Sequence, residues 1–216
     1  MRTKKHTIRI AVMTVNQVED MELFIPVDIW KRAGILVDII VCELRNGFTL
    51  AYSGVKVSAN SHLNNTNFNQ YDAIYLPGGP GYERFLIPPA TQKNIGESKL
   101  HEAIKRFASE KNKWLIGMCA SPVVYFSLIE DPKFRATKFT SFNDKNLLRN
   151  FEESWVNEPV WVENNLITAQ AAGNAFDLAF TVVEKLLDPA IAHEIATRIN
   201  YPWDKIKRRM KVFAQQ

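Results

Sequence analysis

Residues 8–15 form an apolar run, residues 21–33 carry their apolar positions at helical spacing up to Gly34 in the C-capping position, and residues 35–44 are apolar again. Strand, helix and strand within 37 residues make a βαβ unit, and a helical crossover of that length forces the two strands to lie parallel.

The alternation continues along the chain. Residues 48–52 and 55–59, separated by Ser53-Gly54, read as a β-hairpin, and the asparagine-rich residues 60–70 as a surface loop with an imperfect helical turn. Residues 71–76 resume the sheet until Pro77-Gly-Gly-Pro-Gly81 halts it, residues 99–111 have helical spacing, and residues 114–118 are a further strand. A helix at 122–129, a short strand at 137–140, strands at 155–163 and 166–169 turning at Asn164-Asn165, and a long helix at 174–187 follow. Asp188-Pro189 separates that helix from a terminal one. The pattern predicts an α/β fold, a single-domain doubly wound sandwich around a mostly parallel sheet. One domain is expected over residues 1–216, with its core at about 8–187 and a helical extension at about 190–216 that covers a sheet edge or a subunit contact.

Composition narrows the classes. Hydrophobic residues make up 46% and charged residues 23%, as in water-soluble globular proteins, and no run of about 18 apolar residues is present to span a membrane. The basic opening, with Lys4 and Lys5, leads into a segment too short for a signal sequence and is read as retained. Cys42 and Cys119 both lie in strand-like segments, which argues against a disulfide framework and for a reducing, cytoplasmic setting. Without a CxxC pair, and with four scattered histidines, no metal site is expected. Part of the net charge of +4 sits at the chain ends, in Lys4-Lys5 and in 205–211, where it reads as a solvated face; nucleic acid is not an expected partner.

The chemistry concentrates at Cys119. The apolar strand 114–118 stops there, and Pro122, which lacks an N–H, suits a first helical turn, so Cys119-Ala120-Ser121-Pro122 reads as a sharp strand-to-helix turn, a nucleophile elbow. Beside a helix N-terminus the thiol is expected to titrate well below the ordinary value of about 8.5. The competing reading is a buried core cysteine. Three strand ends, at residues 16–22, at Pro77-Gly78-Gly79 and at Cys119, converge on one pocket if their strands are neighbours. An amide of the Gly78-Gly79 turn and that of Ala120 would then form an oxyanion hole; otherwise the glycines simply make a turn.

Four segments in this order and spacing, residues 21–34 (Met-Glu-Leu-Phe-Ile-Pro-Val-Asp-Ile-Trp-Lys-Arg-Ala-Gly), Tyr71-Asp-Ala-Ile-Tyr-Leu-Pro-Gly-Gly79, Met118-Cys-Ala120 and Leu166-Ile-Thr-Ala-Gln-Ala-Ala-Gly173, resemble the ThiJ/PfpI superfamily, and within it the branch of the parkinsonism-associated protein deglycase. The resemblance covers residues 8–187. It implies a flavodoxin-like, class I glutamine amidotransferase-like sandwich, a homodimer, and a catalytic pair of Cys119 and Glu22, the buried and protonated glutamate donating to the thiolate. On its residues alone Glu22 reads as a solvated first-turn residue favoured by the helix dipole.

Three positions depart from the family pattern. Phe142 stands where relatives carry a histidine, Gln170 where an arginine is common, and Ser121 where glycine is common. The first two remove a proton acceptor and a cation from the pocket rim. Asn143 or Asp144 would be the nearest substitutes. The resemblance implies a cofactor-independent glyoxalase or deglycase, a hydrolase or lyase acting on small 2-oxoaldehydes or their adducts, weakened by Phe142. The alternative is a non-enzymatic oxidative-stress protein in which an oxidant converts Cys119 to sulfenic or sulfinic acid.

Overall fold

The computed structural model describes residues 6–42, 48–86 and 99–208. Strands β1 (Arg9–Thr14), β2 (Leu36–Val41), β5 (Ser61–His62), β6 (Ala73–Leu76), β7 (Trp114–Met118), β8 (Val160–Glu163) and β9 (Leu166–Ala169) form one seven-stranded sheet in the order β5-β2-β1-β6-β7-β9-β8. Every pairing is parallel except β8 with β9. The pair β3 (Phe48–Leu50) and β4 (Lys56–Ser58) is a separate antiparallel hairpin.

The central strands are apolar throughout because both faces are covered. Ile10, Val12, Tyr75, Ile116, Met118 and Ile167 face α1 (Asp20–Arg32) and α6 (Ala175–Leu186). Ala11, Met13, Ile74, Leu76 and Leu115 face α2 (Lys99–Ser109) and α3 (Pro122–Leu128). In α1, Ala33 is the cap residue and Gly34 adopts φ +80°, the left-handed turn that lets the chain reverse into β2. The βαβ unit is therefore built as its periodicity demands. Strand order reverses between β1 and β6, so the crevice at their carboxyl ends is the topological switch point of the sheet.

Two segments differ from the sequence reading. Residues 137–140 are not a strand: Phe139 makes an isolated bridge to Trp155, and the Thr140 N–H donates to the Thr168 side chain. β9 is already paired with β7 on one side and β8 on the other, so its own backbone has no free side for this segment. The expected strand at 155–163 begins only at Val160, after two short helices, α4 (Pro132–Arg135) and α5 (Lys145–Leu148), have carried the chain across. The loop at 60–70 contributes the edge strand β5 and two 3₁₀ turns. The ends of two expected elements, residues 43–44 of the second strand and the chain beyond residue 208, lie outside the described residues.

The C-terminal helices cover another helix rather than a sheet edge. α7 (Pro189–Arg198) and α8 (Trp203–Lys207) pack on α6. Tyr201 stacks on Phe176 and Phe180, and its hydroxyl donates to buried Asp177 at 2.6 Å. Trp203 is buried against Phe180, with Nε1 donating to Glu184. Truncating Trp203→Ala empties this site and should cost about 3–5 kcal/mol in urea unfolding. A loss below about 1 kcal/mol would mean that the C-terminal helices are not part of the cooperative core.

Candidate active site

Cys119 follows β7 directly and adopts φ +58°, a left-handed backbone that a non-glycine residue holds only when its surroundings enforce it. They do so from three sides. The Cys119 N–H donates to Ala169 O at 3.0 Å, its carbonyl accepts from the Phe142 N–H at 2.8 Å, and the Ser121 N–H closes the turn onto Met118 O at 3.0 Å. Ser121 is buried, and its hydroxyl donates to Pro77 O at 2.6 Å, so the residue that departs from glycine ties the elbow to the neighbouring strand end. Pro122 opens α3 as its sequence position predicts. The cysteine is a half-buried elbow residue, not a core one.

Glu22 reaches the elbow from the first turn of α1. Glu19 caps that helix, its carboxylate accepting from the Glu22 N–H at 2.7 Å while its own N–H donates to Gly78 O. The dipole argument for a solvated Glu22 fails because the crevice closes over it: Glu22 has no exposed surface. Its Oε2 accepts the Gly78 N–H at 2.7 Å. Gly78 leaves the room for this contact. A Cβ there would lie 2.7 Å from Cys119 Cβ and 2.8 Å from Glu22 Oε2. Gly79 takes φ +99° against the backbone of Gln17 and Glu19.

The backbone amides of Gly79 and Ala120 lie near the Cys119 sulfur and favour its thiolate. The Glu22 and Cys119 side chains meet, each weighing on the other's ionisation, but the contact is looser than the bond to Gly78. The buried Oε1 of Glu22 has no partner at hydrogen-bonding geometry. An orphaned carboxylate oxygen in a dry site is costly, and a proton on it is the simplest remedy.

Burial pushes the Glu22 carboxyl up to about 7, opposed by the Gly78 amide and the contact with Cys119, with the charge of Glu19 adding to the rise. Burial, then the charge and hydrogen bond of Glu22, push the Cys119 thiol up to about 12 against the two amides. The expected depressed thiol is thus overturned. A seven-residue α3 does not outweigh the loss of water and the neighbouring carboxylate. The two groups form a coupled pair that holds one proton once the pH rises past about 7, and a thiolate arises when that proton sits on Glu22.

Of the other predicted residues, Phe142 is joined to Cys119 through its backbone and leaves its ring 48% exposed. Gln170 follows β9 directly, but its side chain turns to Asn157, at 2.7 Å, and not to the pair. Asp144 spends its carboxylate capping α5 at the Leu147 N–H, and Asn143 is exposed. Two contributors were missed: Tyr75, whose hydroxyl donates to Glu22 O at 2.7 Å, and Glu19 as cap. Among the described residues no group of three or more His, Cys, Asp or Glu side chains is placed to hold a metal ion, and no helix is long and apolar enough to cross a membrane.

The profile of the DJ-1/PfpI family matches residues 8–185, which spans the whole sheet and both elbow and glutamate. The chain belongs to that family. It is 31% identical over 183 residues to the DJ-1 homolog B of Arabidopsis thaliana, covering 83% of this chain and 38% of that longer protein. It is 24% identical over 169 residues to a protein of Pyrococcus abyssi named a deglycase, covering 78% and 93% of the two chains. The crystal structure of DJ-1beta from Drosophila melanogaster superposes with a TM-score of 0.76 at 22% identity, covering 91% of this chain and 99% of that one, and shows the same fold.

The raised Glu22 carboxyl fixes a pH dependence. Below about pH 4.5 it is protonated folded or unfolded. As pH rises toward about 7 the unfolded chain ionises while the folded one still holds the proton, so the stability tied to that proton is lost. Glu22→Gln removes the effect, and its stability relative to wild type should rise by up to about 3 kcal/mol between pH 4.5 and pH 8 in urea titrations. Parallel curves for the two proteins would place the carboxyl in water.

Proposed function

We propose that the chain is a cofactor-independent glyoxalase or deglycase acting on small 2-oxoaldehydes or their adducts, with Cys119 as nucleophile and Glu22 as proton carrier. The observation that supports it most is a fully buried carboxyl, wanting a proton near neutral pH, beside the elbow cysteine. With methylglyoxal, the Cys119 sulfur adds to the aldehyde carbon and the carbonyl π pair moves to oxygen, giving a hemithioacetal stabilised by the Gly79 and Ala120 amides. That oxygen takes the pair's proton. Glu22, now a carboxylate, removes the C1 hydrogen as a proton and returns it to C2 by way of an enediol, while the hydroxyl proton on the C1 oxygen passes to the C2 oxygen, so that the ketone becomes an alcohol and C1 a thioester. Water releases lactate and the thiol.

Phe142 carries no proton-transfer group, and its exposed ring beside the elbow supports a second reading, in which an oxidant takes Cys119 to the sulfenic acid without turnover. We place the protein in the cytoplasm, on cysteines that lie in strand-like segments and not at the spaced loop positions of a disulfide framework, and as a homodimer. The homodimer reading has a surface to suit it. Met21 and Phe24 on α1, with Leu50, Tyr52 and Val55 on the hairpin, are exposed apolar side chains on two elements joined by the Asp20 to Ser53 hydrogen bonds.

Methylglyoxal turnover by wild type, Cys119→Ser and Phe142→His separates the readings. Wild type should be slower than histidine-bearing relatives by roughly 100-fold to 10,000-fold, the contribution of one positioned acid–base group. Cys119→Ser should be inactive and Phe142→His faster than wild type. Turnover surviving in Cys119→Ser sinks the mechanism, whereas inactive wild type with rapid peroxide oxidation of Cys119 favours the redox reading. For the dimer, sedimentation of Phe24→Glu/Tyr52→Glu should show a shift to monomer.

A further inference from the structure

Pro26 lies inside α1, four residues after Glu22. It has no N–H, so the Glu22 carbonyl cannot receive the regular helical bond from position 26, and in this interior an unpaired carbonyl is costly. The Tyr75 hydroxyl, fully buried on β6, donates to that carbonyl at 2.7 Å and lies 3.6 Å from the sulfur of Met118, the residue before the nucleophile. One strand end therefore holds Glu22 twice, by its backbone through Tyr75 and by its carboxyl through Gly78. The Tyr75 ring is itself fixed edge-on against Trp30, centroids 5.1 Å apart.

We infer that Tyr75 is a positioning residue for the Glu22–Cys119 pair: its hydroxyl replaces the hydrogen bond that Pro26 withholds, and so sets where the first turn of α1 presents the Glu22 carboxyl. The inference rests on the pair acting together, as proposed above. Burial and the charges of Glu22, Tyr125, Cys119 and Glu19 hold the Tyr75 phenol well above its ordinary value, so it is a donor at every working pH. The groups facing the pair are Glu19 ahead of α1, Tyr75 on β6 and, behind Tyr75, Tyr125 on α3. Glu19 and Tyr125 are common to all the variants below, so differences among them report on the bond.

The test is the rate of Cys119 alkylation by iodoacetamide from pH 5 to 9 in wild type, Tyr75→Phe, Pro26→Ala and Tyr75→Phe/Pro26→Ala. Phenylalanine keeps the ring against Trp30 and removes only the hydroxyl. Tyr75→Phe should slow alkylation at pH 7 by about 3-fold to 10-fold, the worth of one buried hydrogen bond, and move the profile to higher pH. Pro26→Ala alone should follow wild type. The double variant supplies an N–H at position 26 and should return to within about 2-fold of wild type, which a mere packing role for Tyr75 would not produce. If Tyr75→Phe does not fold, the double variant is still expected to fold and to show the wild-type profile. A Tyr75→Phe profile superimposed on wild type, or a double variant that stays impaired, overturns the inference. Turnover is not read, so an inactive wild type leaves this test intact; a Glu22→Gln profile identical to wild type would instead remove the pair itself.

Discussion

A single amide, that of Gly78, donates to a carboxyl from which water is excluded, and the local architecture is arranged to permit it. The bond requires that β6 end beside the first turn of α1, that no side chain stand at position 78, and that the elbow lie within reach of the same carboxyl. Each follows from the strand order. β1 and β6 flank the switch point, β7 lies next to β6, and so the loop before α1, the glycine turn and the elbow share one crevice. The parallel sheet thereby concentrates at one edge the backbone donors that its ladders leave unused.

The same enclosure explains the electrostatics. Neither helix dipole nor amides bring the thiol below its ordinary range, because burial and a neighbouring carboxylate act more strongly in the opposite direction. Reactivity then depends on where one proton resides. A carboxyl with an orphaned oxygen and a sulfur whose thiolate two nearby amides favour divide the task unequally: the first gains from the proton and the second from its absence. Departures at the rim leave this inner pair untouched. Phe142 and Gln170 alter what surrounds the pair, whereas Ser121 strengthens the elbow by bonding to Pro77.

The chain's periodicities determined a great deal by themselves. Apolar runs at β1, β2, β6, β7 and β9, helical spacing at α1, α2 and α6, and Gly34 after α1 specify a parallel sheet with helices on both faces, because these signals are local and agree with one another. Cys119 before Pro122 fixed the elbow for the same reason: strand end, turn and helix start lie within a few residues. Residues 137–140 are not a strand because strand pairing is decided by where the chain runs in the fold: β9 is already flanked by β7 and β8, and Phe139 bridges instead to Trp155 while Thr140 bonds to the Thr168 side chain. Tertiary structure alone decided the rest. Glu22 looks like a surface residue until β6 and β7 are folded over it, and its charge state follows from that burial and not from its neighbours in sequence. Tyr75 looks like any strand aromatic until its hydroxyl meets a carbonyl that Pro26 cannot satisfy, since a contact across 53 positions of chain has no local signature.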